Sequence, residues 1–460
     1  METTDPPASL LCREVRDRTG RVYRVGESDA DLLGRGRIWM VVLPWLAVTG
    51  AGCAGYASAA ARDGLRDGHP WGGDLLVPAA LWALCQATVA LPAGLLRESR
   101  RLTARAAVLT GAAGILAGHL ALAFAPNLLV ACLGFGVAGG IGAGLVHATC
   151  LTLPGKWYPE RRGGPTCFVA SGLAFGALPF LPVLGSAPGR ADHRLLLAAT
   201  GAGVCLVTAS AGWFFRDPPR NWWPPHSDPL RAAASPAARR PGARNPPAVR
   251  QYTAGEAARA PVLWLMWLCL LGAAGGTALG IGFLEPFGRE SGFSGPVVRT
   301  APALAVAAGA GLGAVGVLSD RVGRRTTVIA ACLALGTAQF GVLAAGRAGS
   351  VPLFLGCAAV AGPAGGAVLA LLAAMAADHF GENRSASVFG LVAGSPAVAV
   401  LVGLGIAAGT RGAPAPHDAF VLAGCTGLAC AVPALFLKAP GRPSARRIVP
   451  NPHPLGEEMA

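Results

Sequence analysis

The ten residues Gly316-Val317-Leu318-Ser319-Asp320-Arg321-Val322-Gly323-Arg324-Arg325 place one carboxylate among three guanidinium groups, between two glycines. Such a cluster can form ion pairs and charge-assisted hydrogen bonds, and Asp320 can also face the positive end of a helix. Gly316 permits close helix approach, and Gly323 permits a left-handed turn. A second cluster, Lys156-Trp157-Tyr158-Pro159-Glu160-Arg161-Arg162, mixes cations, one acid and two aromatic rings. Glu382 and Arg384 form a third. Elsewhere polar side chains are sparse. Tyr56, Gln86 and His147 stand inside apolar runs, where a polar group is costly unless it serves structure or transport. The Tyr56 hydroxyl can donate to a carboxylate, and Gln86 offers donors and an acceptor. Each reads equally well as an interhelical contact. His147 follows by three residues a stripe of Gly136, Gly140 and Gly144, a face that either packs against a helix or opens on a cavity. It reads as a carrier of a coupling proton or as an internally bonded structural histidine. No Ser or Cys has an evident base, no CxxC pair or His–Cys cluster occurs, and no GxxxxGK[ST] loop is present. The sequence therefore offers no catalytic residue, no metal site, no cofactor site and no ATP motor, and it does not read as an enzyme.

The elements that hold these groups are set by the solvent the chain expects. Of 460 residues, 53% are hydrophobic and only 13% charged, too little polar material to cover soluble domains of this length. Twelve apolar stretches of about 20 residues, the length of a membrane helix, account for the excess. The predicted fold class is all-α integral membrane, with twelve transmembrane helices in two six-helix pseudo-repeats. An N-terminal tail (1–37) precedes a first bundle (38–215), a linker (216–261), a second bundle (262–437) and a C-terminal tail (438–460). The net charge of +14 invites a nucleic-acid reading, which its distribution opposes. With the termini placed inside, 30 of the 38 Lys and Arg fall on that side, as the positive-inside rule expects. The expected setting is multi-pass in the plasma membrane, both termini cytoplasmic. The expected partners are the lipid bilayer and a small-molecule solute, with a coupling proton as an open question, no nucleic acid, and a monomeric state.

The tail alternates Arg with acids and is expected to be solvated. The linker, rich in Pro, Ala and Arg, is expected to be flexible, with Trp222 and Trp223 at the lipid headgroups. It ends in Thr253-Ala254-Gly255-Glu256, a capping-box pattern ahead of the seventh span. The halves share one offset: Gly94 to Glu98 falls on Gly316 to Asp320, and Tyr158 to Arg162 on Phe380 to Arg384, both at 222 residues. Internal duplication of a six-span unit explains both matches, a recurrent design for alternating access.

The Gly316 to Arg325 segment resembles the signature loop of the major facilitator superfamily, G-x-x-x-D-R-x-G-R-R, at its expected place between the eighth and ninth spans. The resemblance implies a conformational latch made by Gly316, Asp320, Arg321, Gly323, Arg324 and Arg325. In the first-half copy Glu98 stands for the acid and the turn glycine is missing, which weakens the expectation of a latch there. The stretch Gly136 to Ala177 is similar to the oxalate:formate antiporter and monocarboxylate-transporter branch. There a glycine-rich fourth span leads into a K-W-F-P-D-R-R-G loop, here Lys156 to Gly163, so Lys156 to Arg162 with Glu382 and Arg384 are expected to form a cytoplasmic gate. The resemblance also implies that the spans bearing Tyr56, Gln86 and His147 line the substrate cavity.

One departure bears on substrate. Members of this branch that carry organic anions commonly place Arg in a G-R pattern in the eighth span, where this chain has Gly311-Leu312. The eleventh stretch, 386–409, has no Lys, Arg or His. A dianion in a low-dielectric cavity needs paired cations, so a monoanion, a neutral acid moving with a proton, or an uncharged solute fits better than a dicarboxylate. The expected function is secondary active transport of a small organic solute by rocker-switch alternating access. Efflux of hydrophobic compounds and a transport-dead receptor or scaffold stand as alternatives.

Overall fold

A computed structural model describes residues 13–16, 21–69, 71–180, 193–225, 245, 247–409 and 415–440. The expected outer end of the fifth stretch, the middle of the linker (226–244), part of the N-terminal tail and most of the C-terminal tail lie outside them. Among the described residues, twelve helices long and apolar enough to cross a membrane run in order. Spans 1 to 6 are Trp39–Ala59, Leu76–Glu98, Ala104–Phe124, Leu128–Trp157, Gly163–Phe180 and His193–Gly212. Spans 7 to 12 are Pro261–Glu290, Gly295–Val322, Arg324–Ala348, Val351–Phe380, Glu382–Gly403 and Pro416–Ala434.

Local signals explain the helix starts. Thr103 and Asn127 cap spans 3 and 4 by accepting from Ala106 N and Val130 N. Spans 7, 8, 10 and 12 begin with Pro at the first or second position, where its missing N–H costs nothing. The Thr253–Glu256 capping box forms and opens a short helix, Ala254–Ala258, ahead of span 7. Several helices overrun their expected ends. Span 4 continues through Pro154 to Trp157, so Lys156 and Trp157 occupy a helical turn rather than a loop. Span 8 runs to Val322 and span 9 starts at Arg324, so the turn between them is Gly323 alone, at φ 114° and ψ 136°. This is an extended positive-φ conformation open to glycine, not the left-handed helical turn expected from the sequence.

Glycines set how closely the spans approach. The stripe on span 4 packs on span 2: a Cβ on Gly140 would meet Trp82 O at 2.6 Å, and one on Gly144 would meet Gln86 O at 2.6 Å. Of the two alternatives for that face, the structure takes helix packing.

Two expectations fail at the chain's polar segments. The tail is not simply solvated, because β1 (Arg13–Arg16) and β2 (Val22–Val25) pair antiparallel, and Arg21 and Tyr23 are buried. Residues 221–223 run beside β2: Arg24 N donates to Asn221 O at 2.8 Å and Trp223 N to Arg24 O at 2.9 Å. Trp222 and Trp223 are buried rather than set at a headgroup layer. Trp222 packs edge-on against Trp157, its Nε1 donating to Glu27 O at 3.0 Å, and Trp223 packs edge-on against Tyr23. Indoles with aromatic neighbours inside the protein gain more contact than at an interface.

Candidate functional site

The polar clusters converge where the two halves meet, on the face that carries β1, β2 and the 8–9 turn. Gly316 of span 8 lies against Gly163 of span 5; a Cβ there would come within 2.3 Å of Gly163 O. That closeness brings Asp320 to the start of span 5, where its carboxylate accepts from Gly163 N at 3.0 Å and Gly164 N at 2.8 Å. An acid in this position satisfies free amides and faces the positive end of the helix dipole.

The first half supplies the counterpart. Gly94 of span 2 lies against Ala386 and Ser387 at the start of span 11, with a hypothetical Cβ 2.6 Å from Ser387 N. Glu98 there accepts from Ser387 N at 2.8 Å and from Ser387 Oγ at 2.6 Å. Glu98 makes this contact although the first-half loop lacks the turn glycine.

Between these two caps sits a buried ion network. Arg162, fully buried, donates from Nη1 to Asp378 Oδ1 at 2.6 Å and from Nη2 to Glu382 Oε2 at 3.0 Å, and its Nε holds Gly155 O at 3.0 Å. Arg324 bonds Asp320 Oδ1 at 2.8 Å and also pairs with Asp378. Arg21 grips Glu382 at 2.8 and 2.6 Å and donates to Ala248 O at 2.6 Å. Gln251 adds a bond to Glu382 at 2.9 Å. Three acids, Asp320, Asp378 and Glu382, thus meet Arg21, Arg162 and Arg324. All three acids belong to the second half, whereas Arg21 and Arg162 come from the first. The network therefore binds the halves through charge that neither half balances alone. Asn245 completes the 8–9 turn, accepting from Arg324 N at 2.8 Å and donating to Ser319 O at 3.1 Å.

The remaining residues of the expected clusters separate by role. Glu160 pairs with Arg37 at 2.6 Å, and Arg37 also lies over the Tyr158 ring, 4.1 Å from its centroid. Lys156 and Arg97 share Asp217 at 2.9 and 2.8 Å. Burial opposes charge on Asp217, yet these two cations hold its carboxyl below the usual range. These pairs brace the first half internally. Pro159 is buried beside them. Arg161, Arg321, Arg325 and Arg384 are exposed, and Arg325 reaches Leu435 O at the end of span 12.

The three cavity candidates form no hydrogen bond with one another among the described residues. Gln86 accepts from Trp82 Nε1, one turn earlier, at 3.0 Å. Tyr56 is half-buried. His147 Nε2 is buried without a partner among the described residues. Leu312, at the place of the expected cation, is buried near Gly366 of span 10.

Among the described residues, twelve membrane-spanning helices in two halves, joined at one face by reciprocal helix caps and a neutral ion network, define a two-bundle membrane protein. A family model for the Major Facilitator Superfamily matches residues 75–392 and 301–457, and the chain belongs to that superfamily of secondary transporters, which are not enzymes. It is 25% identical over 319 residues, 68% of this chain and 71% of the relative, to the oxalate:formate antiporter of Oxalobacter formigenes. Its fold is similar to that of the Escherichia coli fucose:proton symporter, at 14% identity and TM-score 0.63 over 88% of this chain and 100% of that one. The proton:xylose symporter XylE matches at 13% identity and TM-score 0.63 over 87% and 96%. The human organic anion transporter TETRAN matches at 17% identity and TM-score 0.59 over 88% and 100%.

Proposed function

We propose that this transporter carries a small organic acid bearing at most one negative charge, by alternating access between its two halves. One observation carries the substrate reading: Leu312 occupies, buried, the place where the resemblance implies a cation for organic anions. A dianion there would lack a partner for its second charge, at a desolvation cost of several kcal/mol (roughly) per unpaired ion. The similarity to the oxalate:formate antiporter supports the organic-acid class. Tyr56 and Gln86 supply hydrogen bonds to the solute, and His147, with a buried nitrogen free of partners among the described residues, carries the coupling proton. The gated face, rich in arginine, lies in the cytoplasm with both termini, the protein sits in the plasma membrane as a monomer, and the described conformation is closed on the cytoplasmic side.

Uptake of labelled formate and labelled oxalate into proteoliposomes, with and without an inward proton gradient, tests this. Formate uptake stimulated by the gradient, with oxalate excluded, is expected; oxalate transport at an equal rate contradicts the reading.

A further inference from the structure

A cavity of about 730 Å³ opens at this face, with Glu98 and Glu382 in its lining. Seven of its lining residues are Lys or Arg and three are acids. The acids are already committed. Asp217 is shared by Arg97 and Lys156, Glu98 caps span 11, and Glu382 is held by Arg21 and Arg162. Arg216 and Arg220 bond the backbone carbonyls of Leu32 and Glu98. Arg35, Arg100 and Arg105 are left with no carboxylate partner among the described residues.

Two of these three are held in place by rings. Arg105 lies 3.2 Å from the Trp213 centroid and Arg35 4.7 Å from that of Phe214, a geometry that orients a guanidinium without neutralising it. The third sits on unusual backbone. Arg100 and Asn221 are the two non-glycine residues with positive φ among those described, both at 60°. Arg100 lines this cavity, and Asn221 stands between its lining residues Arg220 and Trp222. Such conformations cost free energy and concentrate at binding sites. The start of span 3 lies in the wall at Thr103 and Ala104, adding a helix N-terminus to the positive field.

We propose that this cavity binds a phosphate-bearing anion. The phosphoryl oxygens sit among Arg35, Arg100 and Arg105, where planar guanidinium groups can each give two bonds. The phosphate can belong to the headgroup of an anionic phospholipid, reached past the exposed rings of Trp213 and Phe214, or to a soluble phosphorylated metabolite. The cavity also touches Trp222, Glu382 and Asn383, so an occupant rests on the gate elements of both halves and favours the closed arrangement. Such binding does not depend on which solute is transported.

The test uses the purified full chain and two probes. Pyrophosphate is titrated in a neutral detergent, and nanodiscs of phosphatidylcholine are compared with nanodiscs containing phosphatidylglycerol. The readouts are thermal stability and the phospholipid retained in native mass spectra. Stabilisation by pyrophosphate assigns the site to a soluble phosphate; stabilisation and retention confined to phosphatidylglycerol assigns it to a headgroup. In either arm Arg100→Gln with Arg105→Gln weakens binding by about tenfold or more, since removing even one charge-assisted hydrogen bond has an effect of that order. Arg35→Gln reads the same effect if the double variant does not fold. No stabilisation by either probe, or an equal response from the variants, overturns the proposal.

Discussion

Glu98 and Asp320, 222 residues apart, act on each other's halves: Glu98 of span 2 caps the start of span 11, and Asp320 of span 8 caps the start of span 5. Each acid follows a glycine by four residues, and that glycine lets the two helices approach until a Cβ would not fit. The same contact between a carboxylate and a helix start is therefore made twice.

This symmetry predicts equal consequences. Glu98→Gln and Asp320→Asn each remove the charge facing a helix N-terminus while keeping an oxygen that can accept one amide hydrogen. Each is expected to lower transport in the same direction and to a similar extent, with about 1 kcal/mol or more removed from the stability of the closed state. Parallel transport assays on the two variants check this; a silent Glu98→Gln beside a disabled Asp320→Asn would restore the reading that only the second half latches.

Arg162 is the buried cation that ties Asp378 and Glu382 to the first half. Arg162→Ala leaves two carboxylates short of a partner, at a cost of about 3–5 kcal/mol to the closed arrangement. The double variant Arg162→Ala with Asp378→Ala should recover part of that stability, because the stranded charge is removed with its partner. Thermal unfolding of the single and double variants measures the recovery, and strictly additive effects would count against a direct pair.

Much of this was legible in the sequence and some was not. The twelve spans follow from apolar length, and the place of the 8–9 turn from Asp320, Gly323 and the flanking arginines. Asp378 is not among the expected site residues, yet it precedes Gly381 by the same three residues that separate Asp320 from Gly323, and Gly381 also has positive φ, at 98°. That spacing was the available signal. Nothing local marks Arg21, one of several arginines alternating with acids, because its partner Glu382 is 361 residues away. Trp222 and Trp223 misled because an indole beside a span fits a headgroup layer as well as an aromatic contact, and only the tertiary neighbours Trp157 and Tyr23 decide.

Arg21 ties the segment at β2 to Glu382 of the second half. Arg21→Ala removes charge-assisted bonds to Glu382 of about 1.5–3 kcal/mol in sum. A cysteine placed at buried Ser385 should then react faster with a soluble maleimide than in the parent chain. An unchanged labelling rate would mean that this segment rests on the gate without holding it.

On the opposite face His69 stacks on Trp71, with its Nε2 3.4 Å from His193 Nε2. Burial lowers the His69 pKa from its ordinary 6.5, and His193 and Arg194 lower it further. The unfolded chain therefore takes up the proton first. The stabilising contribution is complete above the ordinary pKa and declines as pH falls through it. Thermal stability should fall between neutral pH and about pH 5 more steeply in the parent than in His69→Gln. Equal slopes would mean that His69 does not contribute to the pH dependence.

Above all, the reciprocal caps are held to keep one face of the transporter shut. Spin labels on the exposed residues Arg161 and Arg384, which flank the network from opposite halves, allow the gap to be measured by pulsed electron resonance in liposomes, on a background without reactive cysteines. Reciprocal capping predicts a dominant short distance in the parent chain and a shift of population to a longer one in Glu98→Gln with Asp320→Asn. A distance distribution unchanged by that double substitution would contradict it.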